Sequence, residues 1–235
     1  MRRVLVTRPE PGASETALGA AALGFSPVVL PLSEIRDLPV DSAAIPKDPD
    51  AVAATSANTL RHAPPDFLAR LAETPCYVVG GKTAQAARQA GFTRVIEGPG
   101  DAAGLAGLMA KDLGGAGSVI YLCGRVRLPG FEKQLAAVGM SVAAVETYDT
   151  VETDVLSGND FTGHIDIALL HSALGAQALT KIARRPAFRH LFADTVFLCL
   201  SERIAAVLTE RGFTKIGIAA EPTEQALLFL LAEQS

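Results

Sequence analysis

Ten short runs rich in Val, Ile and Leu punctuate the chain, near residues 3–7, 27–31, 50–54, 76–80, 94–97, 118–122, 141–146, 165–170, 195–200 and 215–219. Stretches of 10 to 14 residues with helical spacing separate most of them. A strand that is apolar along its whole length must be covered on both faces, so the pattern predicts parallel sheets packed between helices. Ten strands are too many for one small sheet. The expected fold is therefore α/β, with two doubly wound, flavodoxin-like parallel-sheet domains joined by two linkers and an interdomain cleft.

The punctuation between these runs repeats. Four helical stretches close on Gly, a bulky apolar residue, then Ser or Thr: Gly24 Phe25 Ser26, Gly91 Phe92 Thr93, Gly139 Met140 Ser141 and Gly212 Phe213 Thr214. Glycine just past a helix takes the left-handed conformation without a Cβ penalty, so each copy predicts a helix stop that feeds a strand. Residues 76–96 overlay residues 197–217 without a gap, and residues 50–60 resemble residues 166–179. Two similar halves suggest two similar domains.

Pro31, Pro39, Pro46 and Pro49 mark a shift of composition that reads as a crossing between domains. The acidic, weakly periodic stretch 146–160 suits the return crossing. Domain 1 is thus expected from residues 1–35 plus 150–235 and domain 2 from residues 38–147, with linkers near 31–40 and 146–152.

With 49% hydrophobic residues in a chain of 235, each half can bury its own core. A formal charge of −4 without long runs of one sign gives no support to a nucleic-acid surface. Cys76, Cys123 and Cys199 are far apart and lack metal-ligand spacing, which predicts a reduced, cytoplasmic protein. The uncharged stretch 16–33 imitates part of a signal peptide, but Arg8, Pro9, Glu10, Pro11 and Glu15 precede it, so export is not expected. No segment offers about 20 apolar residues free of charge and of Gly and Pro breaks, so no membrane span is predicted.

Familiar catalytic signatures fail one by one. Gly80 Gly81 Lys82 Thr83 opens a helix after a strand, but a Walker A loop needs glycine where Cys76 stands. Gly98, Gly100 and Ala103 match only the loosest dinucleotide fingerprint, and Asp101 is expected as a helix N-cap instead. His62, His164, His171 and His190 show no zinc-protease spacing, and no GxSxG elbow is present.

The more useful signal is where hydroxyls, small residues and cations fall relative to the strands. They gather at carboxyl ends: Thr7 and Arg8; Thr55, Ser56 and Asn58; Gly80, Gly81, Lys82 and Thr83; Gly124 and Arg125; His171 and Ser172; Ser201 and Arg203. In open α/β sheets ligands bind outside these ends, where helix N-termini present unpaired N–H groups and partial positive charge. Such rims suit a polyanionic small molecule. The bland alternative is that Ser, Thr and Asn only cap helices and that the cations are solvated.

Five segments, in order, resemble the uroporphyrinogen-III synthase family across nearly the full length. These are VLVTRPEPGASE, AVAATSANTL, VVGGKTAQAARQAGF, AVETYDTV and IGIAAEPTEQALL. The resemblance implies a two-domain, cofactor-independent and metal-free lyase. It would convert linear hydroxymethylbilane, which carries eight carboxylates, into uroporphyrinogen III, losing the terminal hydroxyl and inverting the last pyrrole ring. It further implies a monomer, able to make transient contact with the preceding pathway enzyme. Carboxylates are then expected on backbone N–H groups near Thr55, Ser56 and Asn58, near Gly80 to Thr83, and at Ser172 and Ser201, helped by Thr7, Arg8, Lys82, Arg125 and His171. The position of Tyr148 matches a family tyrosine thought to assist departure of the hydroxyl. Where the family often has Thr-Ser-Pro-Ser and Gly-Pro-Thr-Thr, this chain has His171 Ser172 Ala173 Leu174 and Leu200 Ser201 Glu202 Arg203. The competing class is a non-catalytic, two-lobed receptor for a small polyanion, which isomer analysis of the tetrapyrrole product would separate.

Overall fold

The structure, a computed structural model, describes residues 1–41, 45–127, 129–153 and 163–234. In chain order it begins with β1 (Arg3–Val6), α1 (Gly12–Ala22), β2 (Ser26–Val29), β3 (Ser33–Asp37), β4 (Ala51–Ala54), α2 (Ala57–Arg61), α3 (Pro65–Leu71) and β5 (Cys76–Val78). The middle follows with α4 (Gly81–Gln89), β6 (Val95–Glu97), α5 (Ala102–Asp112), β7 (Gly117–Gly124), α6 (Gly130–Ala137) and β8 (Met140–Glu152). Last come β9 (Ile167–Leu170), α7 (Ala173–Ala183), a 3-10 turn at Arg189–Phe192, β10 (Val196–Cys199), α8 (Glu202–Thr209), β11 (Ile216–Ile218) and α9 (Glu224–Ala232).

The chain divides into two compact units, one of Met1–Glu34 with Val151–Ser235 and one of Ile35–Thr150. The first holds a five-stranded sheet in the order β2-β1-β9-β10-β11, the second a six-stranded sheet in the order β3-β8-β7-β4-β5-β6. Neighbours from β2 to β11 in the first sheet and from β8 to β6 in the second pair in parallel.

Side chains alternate across each sheet, as the pleat requires. Val4, Val6, Ile167, Leu169 and Leu198 face α1 and α9, while Leu5, Ala168, Leu170, Phe197 and Cys199 face α7 and α8. In the second unit Val52, Ala54, Val78, Ile120 and Leu122 face α2, α3 and α4, and Ala51, Ala53, Tyr77, Val119 and Tyr121 face α5 and α6. None of these four clusters takes residues from both units.

The two sheets share one spatial plan with a permuted chain order. In the first unit the strand-helix-strand piece β1-α1-β2 precedes β9-α7-β10-α8-β11-α9. In the second, the piece β4 to α5 comes first and β7-α6-β8 follows. Superposing the two orders pairs β7 with β1, β8 with β2, β4 with β9, β5 with β10 and β6 with β11. The glycine repeat obeys this pairing: the Ser versions feed β2 and β8, and the Thr versions feed β6 and β11. All four glycines are left-handed, with φ of 86°, 96°, 88° and 80° at Gly24, Gly91, Gly139 and Gly212.

The chain passes from the first unit to the second after Glu34 and back after Thr150. The stretch around residues 31–40 contains an edge strand, β3, hydrogen-bonded to β8, and β8 itself runs to Glu152 through the stretch read as a return linker. β3 carries a single apolar residue, Ile35, and lies at the sheet edge, so it gives no apolar run. Residues 154–160 of the acidic stretch lie outside the described residues.

Candidate active site

In the second unit the connection order reverses between β4 and β7, and a crevice outside the carboxyl ends at such a point is where an open α/β sheet takes its ligand. Ser56 N-caps α2 after β4, and Gly124 ends β7. Tyr148 reaches this point by a break in register: Cys123 pairs with Glu146, but Gly124 pairs with Tyr148, leaving Thr147 as the extra residue. Such a bulge re-aims the side chain that follows it. The ring then lies over Gly124, where a Cβ would stand 2.7 Å from Tyr148 Cζ and 2.9 Å from its hydroxyl, so glycine is what makes room for the phenol.

Two elements hold this tyrosine from the side. The buried Thr147 hydroxyl donates to the Thr59 carbonyl at 2.8 Å, fastening β8 to α2. His62, the C-cap of α2, sets its ring 5.9 Å from that of Tyr148 at 48°, and its Nδ1 is 2.6 Å from Asp37 Oδ1 at the end of β3. Burial pushes the Tyr148 phenol above the ordinary tyrosine value, while the neighbouring Ser56 hydroxyl pulls the other way and the Cys123 thiol adds to the rise. The hydroxyl therefore keeps its proton at neutral pH.

The other residues of this rim are mostly engaged with the protein. Arg125 pairs with Glu146 at 3.0 Å and Asp149 at 3.5 Å, and Arg127 bridges Glu132 at 2.8 Å and Glu146 at 3.0 Å. Thr55 shares a 2.8 Å hydrogen bond with Tyr121, and Asn58 accepts from Arg61. The Ser56 oxygen accepts from the Asn58 N–H. Gly80 N-caps α4 without a side-chain bond; Gly81 and Lys82 are exposed, and Thr83 is buried. Asp101 caps α5 through the Gly104 N–H at 2.8 Å, as expected.

In the first unit the reversal falls between β1 and β9, with Thr7 and Arg8 on one side and His171 and Ser172 on the other. Thr7 is 1% exposed and donates to the Leu169 carbonyl, and Ser172 caps α7 through the Gly175 N–H. Arg8 and His171 converge on Glu224, the first residue of α9. Its carboxylate accepts from Arg8 at 2.7 Å, from Thr16 at 2.6 Å and from His171 Nε2 at 2.9 Å. Burial alone would raise the Glu224 carboxyl, but the hydrogen bonds from His171 and Thr16 and the Arg8 charge outweigh it and hold it at about 2. Burial depresses His171, against the pull of Glu224. A neutral imidazole giving its Nε2 proton to Glu224 satisfies both, and its Nδ1 lone pair then stands buried without a partner among the described residues. Ser201, the N-cap of α8, makes no side-chain cap bond.

Sequence reasoning names Tyr148, Ser56, Arg8 and His171 but misses Glu224, Asp37 and the pairing of His62. Glu224 sits in a stretch noted only for its resemblance, and no local signal ties it to His171 or, more distant still, to Arg8 and Thr16. A cavity of about 460 Å³ lined by Arg184, Phe192, Thr195 and Lys215 opens at the amino ends of β10 and β11, the pole opposite these side chains.

No curated protein matches the chain by sequence. Among solved structures, uroporphyrinogen-III synthetase from Helicobacter pylori aligns at a TM-score of 0.66 with 19% identity, covering 100% of both chains. A mutant uroporphyrinogen III synthase from the extremely thermophilic bacterium Thermus thermophilus aligns at 0.57 with 21% identity, covering 100% of this chain and 99% of its own. At such identities the likeness speaks for the fold. The family model described as uroporphyrinogen-III synthase HemD matches residues 14–228, most of the sequence, and the chain therefore belongs to the uroporphyrinogen-III synthase family.

Proposed function

We propose that this chain is a hydro-lyase that cyclises hydroxymethylbilane to uroporphyrinogen III, with inversion of the last pyrrole ring, without a cofactor. The observation that carries the reading is the placement of a protonated Tyr148 hydroxyl over Gly124 at the topological reversal of the second unit. In the first step the phenol gives a hydrogen bond, and then its proton, to the terminal hydroxyl. The C–O bond breaks with the electron pair of the adjacent pyrrole nitrogen pushing from behind, and water leaves. What remains is positioning: the linear tetrapyrrole closes unaided to the symmetric isomer, so the protein must favour the geometry in which the inverted ring reacts. Orientation alone can contribute several kcal/mol.

Carboxylates of the substrate are taken by main-chain N–H groups at the N-termini of α4 and α8, equivalent helices that start at carboxyl ends of strands and whose caps, Gly80 and Ser201, make no side-chain bond. Lys82 and Arg203, exposed in the first turns of those helices, add charge. Arg8 and Arg125 are already neutralised by Glu224, and by Glu146 and Asp149, so their contribution is to shape the rim more than to bind anions. Cys76, Cys123 and Cys199, buried and free, accord with a reducing, cytoplasmic setting. Incubation with freshly made hydroxymethylbilane, followed by oxidation and resolution of isomers I and III, tests the reading. Isomer III in excess is the expected result, and isomer I alone rejects it.

A further inference from the structure

We infer that His62, held by Asp37, is a positioning residue for Tyr148, acting on the reaction only through the orientation of the phenol. The inference rests on the cyclisation reading above. Tyr148 follows a bulge and projects from a strand over a glycine, so the residue beneath it offers no side chain to fix the ring. Lateral restraint has to come from elsewhere. Beside the neighbouring Ser56 hydroxyl, it comes from the imidazole of His62, whose ring lies 5.9 Å away and tilted at 48°, within the range of a packed aromatic pair.

His62 is itself built to stay in place. Its N–H closes α2 on the Asn58 carbonyl at 3.0 Å, and α2 is fastened to β8 one residue before Tyr148 by the buried bond from Thr147 to the Thr59 carbonyl. Next to it, the Leu38 N–H donates to the Thr147 carbonyl at 3.0 Å, which sets the end of β3 beside the same turn of β8. Asp37, the last residue of β3, thereby comes within 2.6 Å of His62 Nδ1. A carboxylate on Nδ1 fixes both the tautomer and the rotation of an imidazole. The Asp37 side chain is 75% exposed, so as a surface ion pair alone it has little to offer stability. Its consequence is directional: β3, β8 and α2 each contribute one residue to aim one hydroxyl.

The test is a set of steady-state assays on full-length protein with freshly made hydroxymethylbilane, scoring kcat, KM and the ratio of isomers. His62→Ala is expected to lower kcat about tenfold at nearly unchanged KM, a misorientation effect, and His62→Phe, which restores a ring without the Asp37 bond, should recover most of it. Asp37→Ala should lower kcat about threefold in the wild-type background and not at all alongside His62→Phe, the coupling expected of residues acting in series. In a Tyr148→Phe background His62→Ala should cost nothing further. Wild-type kcat in His62→Ala, or an Asp37→Ala effect of equal size with Phe at position 62, overturns the inference. Should His62→Ala not fold, the Asp37 pair still decides. Production of isomer I alone by the wild type would instead reject the cyclisation reading itself.

Discussion

Tyr148 and Glu224 show how differently two residues on the sheet rims can be used. The phenol, protonated at neutral pH like any tyrosine and pushed further up by burial, has space only because residue 124 is glycine. Tyr148→Phe is expected to reduce kcat at least about tenfold while leaving the thermal midpoint nearly unchanged, since a single hydrogen bond to substrate is removed. Equal rates in a rapid-quench assay would remove the acid role. Glu224 gathers Arg8, Thr16 and His171 and is a stability device. Its folded pKa of about 2 lies below the unfolded value, so its contribution is complete above about pH 4.3 and is lost as the pH falls toward 2. His171, depressed by burial, adds a loss that begins as the pH falls below its ordinary 6.5. Glu224→Gln should therefore cost roughly 2–3 kcal/mol at pH 7 and flatten the decline of stability below about pH 4.3, as read by urea unfolding at several pH values. An unchanged acid decline would show that other carboxyls govern it. Neither role is legible from residue type. Tyr148 stands out only through a family likeness, and Glu224 is one acidic helix start among several in the sequence.

At the scale of elements, the glycine stops illustrate how one sequence signal can carry different energies. Gly212 has φ of 80° and nothing within 4 Å of where a Cβ would stand, so Gly212→Ala should cost about 1 kcal/mol of backbone strain alone. Gly139 has φ of 88°, and its Cβ would stand 2.6 Å from the Gly115 carbonyl oxygen, so Gly139→Ala should cost distinctly more, about 2 kcal/mol or above. Denaturant midpoints of the two variants measure the difference, and equal costs would mean that the Gly115 loop yields freely. The helix stops, the strands they feed and the Asp101 cap are all legible, because each depends on residues within a few positions. β3 is not. Its register is supplied by β8, more than 100 residues away in sequence, and its own residues have only one apolar member to reveal it.

For the whole molecule, the chain visits one unit, leaves it for residues 35–150 and returns, yet each core cluster stays within one unit. If each unit is a domain in the thermodynamic sense, unfolding need not be two-state. Calorimetry should then resolve two transitions, with Gly212→Ala and Glu224→Gln displacing one and Gly139→Ala the other. A single transition moved alike by all three would show that the cores unfold as one. The shared plan of the sheets gives this expectation its basis, since each unit carries the full set of five equivalent strands with helices on both faces.

Periodicity and punctuation by themselves determined the class of fold, most strands and helices, the helix stops and the gathering of hydroxyls and cations at carboxyl ends. These follow from local chemistry: backbone sterics at glycine, cap preferences, and the need to cover a strand that is apolar on both faces. Only the tertiary structure decided which rim cations are already spent on Glu224, Glu146 and Asp149, that the second sheet repeats the first in permuted order, and that a bulge at Thr147 aims Tyr148 across Gly124 beside His62 and Asp37. The pairing of Asp37 with His62 spans 25 positions and that of Arg8 with Glu224 spans 216, and no local preference encodes a contact that exists only once the strands have found their neighbours.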